Sequence, residues 1–225
     1  MAQVVLISLG TRDRLCVDGA EMLAAHAGVP AASVVRLENL AERALTKEPG
    51  LADVFVEGGV VGCSRPRAAR ALLAFAGVSL PERVEWLALP FDREALKAEY
   101  GVPWYPVIDR TRCVGCGTCH DYCLFSVYER VGKNVRVAAP LNCKTGCPAC
   151  SRLCPEGALI FPFSHEAELN GEDEHPVHRS ADVLADVLGD DPMRLLAERR
   201  EKKRLLDSAK FEKAEKDRVT YSGVL

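Results

Sequence analysis

Eight of the ten cysteines fall between Cys113 and Cys154, in two runs. Cys113, Cys116, Cys119 and Cys123 are spaced C-x2-C-x2-C-x3-C. Cys143, Cys147, Cys150 and Cys154 are spaced C-x3-C-x2-C-x3-C and followed by Pro155. Thiolates this dense are soft metal donors, and iron–sulfur clusters, zinc and disulfides compete to explain them. A cubane cluster needs one thiolate on each of four tetrahedrally arranged irons, and three cysteines in a tight loop can wrap three of those corners. Structural zinc generally uses two separated C-x2-C pairs. Disulfides belong to oxidising compartments. The N-terminal MAQVVLISLG has no basic flank and no small-residue cleavage site; it reads as a first strand and points to a cytoplasmic protein.

The two runs are copies of one unit. The offset is 30 from Cys113 to Cys143 and 31 for the other three pairs, so the register slips once, inside the second run. The flanks repeat as well: VIDRTRC against VAAPLNC before the runs, and CLFSVYE against CPEGALIF after them. In this duplicated pattern the fourth cysteine of each run points away from its own loop, toward the other copy.

This constellation resembles the bacterial-type two-cluster ferredoxins over residues 105–163. The resemblance implies an α+β ferredoxin-like domain holding two [4Fe-4S] clusters with crossed ligands. Cluster one would take Cys113, Cys116, Cys119 and Cys154; cluster two would take Cys143, Cys147, Cys150 and Cys123. Two departures follow from the sequence. Lys144 stands where the family has its first ligand of the second run, so Cys143 must reach around a Thr145-Gly146 turn; without it, cluster two becomes [3Fe-4S]. Leu124 replaces the family's proline after Cys123 and adds an N–H that can donate to a cluster sulfur.

Such clusters need a scaffold, and residues 1–104 supply a pattern of alternating strands and helices. Val4–Leu9, Ser33–Leu37, Asp53–Val56 and Val84–Leu89 read as strands; Asp18–Ala27, Pro66–Ala76 and Arg93–Tyr100 read as helices, the first two closed by Gly28 and Gly77. The expectation is a small, mostly parallel α/β sheet of Rossmann or flavodoxin-like kind. After Val56 the chain reads EGGVVGCSRPRAAR. Its glycines lack the G-x-G-x-x-G order and no Walker lysine follows, so a tight strand-to-helix turn is expected. Ser64, Arg65 and Arg67 at the helix start form a candidate anion site. Cys63 at the same helix start, and Cys16 after the first strand, are candidate reactive thiols near the carboxyl edge of the sheet. The strand–cysteine–serine–arginine–proline order is similar to the N-terminal domain of heterodisulfide reductase A-type subunits, without that family's further cysteines or flavin domain.

Residues 164–225 form an acidic linker followed by a charged helical tail. From 165 to 191 nine carboxylates face one arginine, with His165, His175 and His178 reading as solvated rather than metal-ligating. Asp191-Pro192 opens a helix as N-cap and first helical residue, and Arg194 to Arg218 holds ten basic and six acidic residues. Its leucines are too sparse for a continuous seam, so it is either a solvated helix or an arm that assembles with a partner.

A net charge of −3 with 27% charged residues gives no drive toward nucleic acid, and no apolar run reaches the length of a membrane span. The reading is of an electron carrier or oxidoreductase subunit, not a self-sufficient enzyme. It would relay single electrons to or from a redox partner protein of flavin-dependent or heterodisulfide-reductase-like kind. The alternative is a redox enzyme subunit in which Cys63, alone or with Cys16, acts on a thiol, disulfide or anionic substrate fed by the clusters.

Overall fold

A computed structural model describes residues 3–10, 19–91 and 103–172. The expected helix Arg93–Tyr100, Cys16, His175, His178 and the charged tail lie outside the described residues.

The first part is a four-stranded, all-parallel sheet. β1 (Val4–Ile7) lies at its centre between β2 (Val35–Leu37) and β3 (Gly59–Cys63), with β4 (Val84–Ala88) beyond β3, giving the order β2-β1-β3-β4. Val5 pairs with Val35 on one side and Val61 on the other, and Val61 pairs with Trp86. β1 and β3 are buried throughout, as central strands covered on both faces should be, whereas β2 and β4 are only partly buried.

Alternation along the strands assigns the two faces. Val4, Leu6 and Val60 pack with Leu23 of α1 (Gly19–Ala27) and with Leu89. Val5, Ile7, Val61 and Cys63 pack on the other face with α2 (Leu40–Leu45) and α3 (Pro66–Ala76). α3 starts with proline at its first position and ends on Gly77, whose φ of 86° is the left-handed conformation that glycine adopts without penalty. Its Ala68, Ala69, Leu72 and Leu73 are wholly buried.

Two expectations are corrected. Asp53–Val56 is not a strand: Asp53 N–H donates to Gly50 O and Phe55 N–H to Ala52 O, so the stretch is successive turns that bury Phe55. The third strand is the glycine-containing run after it, Gly59–Cys63, so those glycines form the strand and not the turn that follows it. Gly62 is required there, because a Cβ would lie 2.9 Å from Leu23 and Leu89 side-chain carbons. The short helix α2 was not anticipated; six residues are too few to establish a helical period.

The cysteine-bearing part is built from short elements. β5 (Val107–Ile108) pairs antiparallel with β8 (Leu159–Ile160), and β6 (Tyr128–Val131) forms a hairpin with β7 (Asn134–Val137). Between them lie α4 (Thr118–Tyr122) and α5 (Ala149–Arg152), and α6 (Ala167–Asn170) follows β8. Leu169 and Asn170 are buried, and Phe161 N–H donates to Leu169 O at 2.7 Å, so the first residues after Phe163 pack onto the body. This part shares a core with the sheet. Tyr105, Val107, Ile160 and Phe163 pack in the same cluster as β1, β3 and α3, and the Tyr105 hydroxyl donates to Ala41 O.

Candidate metal centre

The first cysteine run is shaped by two left-handed glycines. Gly115 (φ 72°) and Gly117 (φ 83°) press the loop against the β6–β7 hairpin; a Cβ at Gly115 would lie 2.4 Å from Lys133 O, and one at Gly117 would strike the Arg130 guanidinium. The resulting tight loop carries Cys113, Cys116 and Cys119 into α4, and Cys123 leaves that helix in extended conformation with its N–H on Cys119 O. In the second run the extra residue is absorbed by a turn. Cys147 N–H donates to Lys144 O at 3.0 Å, and Gly146 is left-handed at φ 75°. Cys150 then sits within α5, and Cys154 follows it.

The side chains group across the runs. One cavity is lined by Cys113, Cys116 and Cys119 of the first run together with Cys154 of the second. Elsewhere, burial pushes the Cys143 thiol up to about 12, and negative charge on Cys147 and Cys123 adds to the effect. Burial likewise pushes Cys150 up to about 12, aided by Cys143 and Cys123 and opposed by a hydrogen bond from Tyr128. Cys123 is therefore close enough to feel two cysteines of the other run. Cys119 is also pushed up to about 12, first by burial, then by Cys150. Buried thiols that resist ionisation in one another's company are stabilised as thiolates only when a metal supplies the positive charge. A four-thiol donor set around a cavity fits an iron–sulfur group on that ground. Among the described residues no three Cys, His, Asp or Glu side chains converge as a single-ion site would require, and no cysteine forms a disulfide.

Hydrogen-bond donors approach these sulfurs. Ala158 N–H reaches Cys154 Sγ at 3.3 Å and the Tyr128 hydroxyl reaches Cys150 Sγ at 3.0 Å. Trp104, stacked on Phe161 at 4.9 Å, lies beside Cys143 and works against the effect of burial on that thiol. Neither Tyr128 nor Trp104 was singled out by sequence reasoning, because an aromatic residue several positions from a cysteine run carries no spacing signal. Leu124, expected to matter through its N–H, has a side chain 75% exposed.

The candidates in the first part are placed differently. Cys63 ends β3 at the carboxyl edge of the sheet, beside the point where strand order reverses between β1 and β3, but its side chain faces the core and has no solvent exposure. Ser64 and Arg65 are buried with it. Arg65 donates to Pro162 O and lies 5.5 Å from the Phe91 ring centroid. Arg67 donates through Nε to Asp109 Oδ2 at 2.7 Å, and through its terminal nitrogen to Gly157 O. Both arginines of the candidate anion site thus reach into the cysteine-bearing part. Asp109 accepts Cys113 N–H on its carbonyl, and Gly157 donates its N–H to Cys154 O. Arg67 therefore clamps both flanks of the four-cysteine cavity to the start of α3. Burial works against ionisation of Asp109, but hydrogen bonds from Thr111 and Arg67, with the charge of Arg67, outweigh it and hold the carboxyl below its ordinary value. His165 is exposed. Among the described residues no helix is long and apolar enough to cross a membrane.

No family model matches the chain. The chain is similar to Ferredoxin-3 of Nostoc sp., 32% identical over an alignment of 78 residues, the match covering 25% of this chain and 79% of that protein. It is also similar to an uncharacterized ferredoxin of Methanocaldococcus jannaschii, 41% identical over 54 residues, 23% of this chain and 86% of that protein.

Proposed function

The chain belongs to the ferredoxin family across its cysteine-bearing quarter, and from that premise we propose that it relays single electrons through two [4Fe-4S] clusters to or from a redox partner protein. Cys113, Cys116, Cys119 and Cys154 hold one cluster; Cys143, Cys147, Cys150 and Cys123 hold the other. The observation that carries this reading is the cavity in which Cys154 joins three cysteines of the first run. Crossed ligation of this kind closes a ferredoxin-like module on itself, so a body with little apolar core gains its stability from metal bonds. When bound, a four-iron cluster takes up or gives up one electron with little movement of its ligands.

The chain's own residues do the rest. Burial of Cys150 and Cys154 keeps water from those sulfurs. The Tyr128 hydroxyl donates to Cys150 Sγ, which stabilises negative charge on the second set. The single-ion alternative, zinc, generally uses two separated C-x2-C pairs, whereas each run here places three cysteines close together with a fourth at x3. The enzyme alternative needs an accessible Cys63, and that thiol is fully buried.

Anaerobically purified protein is expected to be brown, to contain close to eight irons per chain by this ligand count, and to give a reduced-state paramagnetic resonance spectrum of two interacting clusters. Stoichiometric zinc with little iron would overturn the proposal.

A further inference from the structure

A groove of about 380 Å3 opens where the end of α2, the side of α3, β5 and β7 meet. Three cations line it, Lys47, Arg110 and Arg136, and no carboxylate does. Lys47 follows α2 in left-handed conformation (φ 51°), and among the described residues its side chain has no carboxylate partner. Arg110 donates one N–H to Val135 O at 2.8 Å, leaving most of its guanidinium face uncommitted. Arg136 pairs with Glu129, but both side chains are largely exposed, so that pair is readily exchanged.

Gathering positive charge over one groove is unfavourable unless an anion completes it, and the planar guanidinium fork matches phosphate oxygens. Phe75 and Val137 add an apolar wall. The fourth feature is position. Ile108, only 5% exposed, lines both this groove and the cavity of Cys113, Cys116, Cys119 and Cys154.

We propose that this groove binds a small phosphate-bearing molecule with an apolar body, one side chain away from the first cysteine set. Binding itself is independent of the electron-relay reading. Its consequence rests on that reading: a dianion beside the cluster disfavours the added electron, so ligand occupancy makes that cluster harder to reduce.

The test uses the full chain purified anaerobically, with phenyl phosphate and inorganic phosphate as probes in titration calorimetry at low and physiological salt. The expected result is one site per chain, at least tenfold tighter for phenyl phosphate than for inorganic phosphate. The Lys47→Ala/Arg110→Ala variant should lose at least tenfold in affinity while keeping its visible absorption, since both side chains are exposed and neither touches a cysteine. Several equivalent weak sites, or equal affinity in the variant, would show diffuse surface attraction only and overturn the proposal. In a parallel redox titration, phenyl phosphate should move one midpoint to more negative potential and spare the other. Site-specific binding with both midpoints unmoved would refute the coupling through Ile108. Protein without iron would refute the electron-relay reading and leave the calorimetric result standing.

Discussion

Replacing Arg67 by methionine should loosen the first cysteine set from the sheet. Arg67 and Asp109 are about one-tenth exposed, at 10% and 9%, and their Nε–Oδ2 distance is 2.7 Å. Methionine keeps most of the side-chain volume and removes the charge, leaving Asp109 without its close cation. Removing one partner of a buried pair costs about 3–5 kcal/mol. Thr111 still donates to Oδ1 from its N–H and hydroxyl, and Arg112 Nε stands 3.9 Å from Oδ2, so the loss should sit near the lower end, about 3 kcal/mol. For a chain of this size that is a fall in melting temperature of roughly 6–12 °C. Differential scanning calorimetry under anaerobic conditions measures it. Asp109 gives a pH signature. Its folded pKa is depressed, so its contribution is fully present above the unfolded value of about 3.9 and is lost as pH falls through the folded value. The melting-temperature gap between wild type and Arg67→Met should therefore hold at neutral pH and narrow below about pH 4. The companion Arg67→Met/Asp109→Leu should recover part of the loss, because the buried carboxylate is no longer left without its close cation. A single variant within 2 °C of wild type at neutral pH, by the scale just used, would refute the clamp.

The crossed ligand sets predict that Cys154→Ser damages the cluster of the first run and Cys143→Ser that of the second, read by paramagnetic resonance; damage confined to each variant's own run would show uncrossed sites. Tyr128→Phe keeps the ring and removes the 3.0 Å hydrogen bond to Cys150. Losing about 1.4 kcal/mol of preferential stabilisation of the reduced state is tenfold in equilibrium, so one midpoint should become more negative by about 59 mV while the other stays. Equal shifts in both midpoints would count against a local role.

Much of the chemistry was legible in the chain alone. Two cysteine runs one unit apart limit the donors to soft thiolates, and left-handed glycines within C-V-G-C-G-T-C make a tight loop that owes little to distant parts of the molecule. α3 is equally local, with proline at its start, a glycine stop and an apolar face between. What the tertiary structure decided is everything that depends on partners far along the chain. Asp53–Val56 and Gly59–Cys63 are both short apolar runs, and only the vacancy beside β1, filled by register Val5 to Val61, selects the second as strand. Cys63 looked reactive at a helix start, yet strand alternation turns its side chain into the core. Arg65 and Arg67 looked like an anion site because charge and a helix N-terminus were all that local sequence displayed. Their partners, Pro162, Asp109 and Gly157, lie 97, 42 and 90 residues away. Spacing records local geometry, because neighbours in sequence cannot be far apart. Which distant groups meet is set by how the buried faces close on one another, and that is written only in the packed molecule.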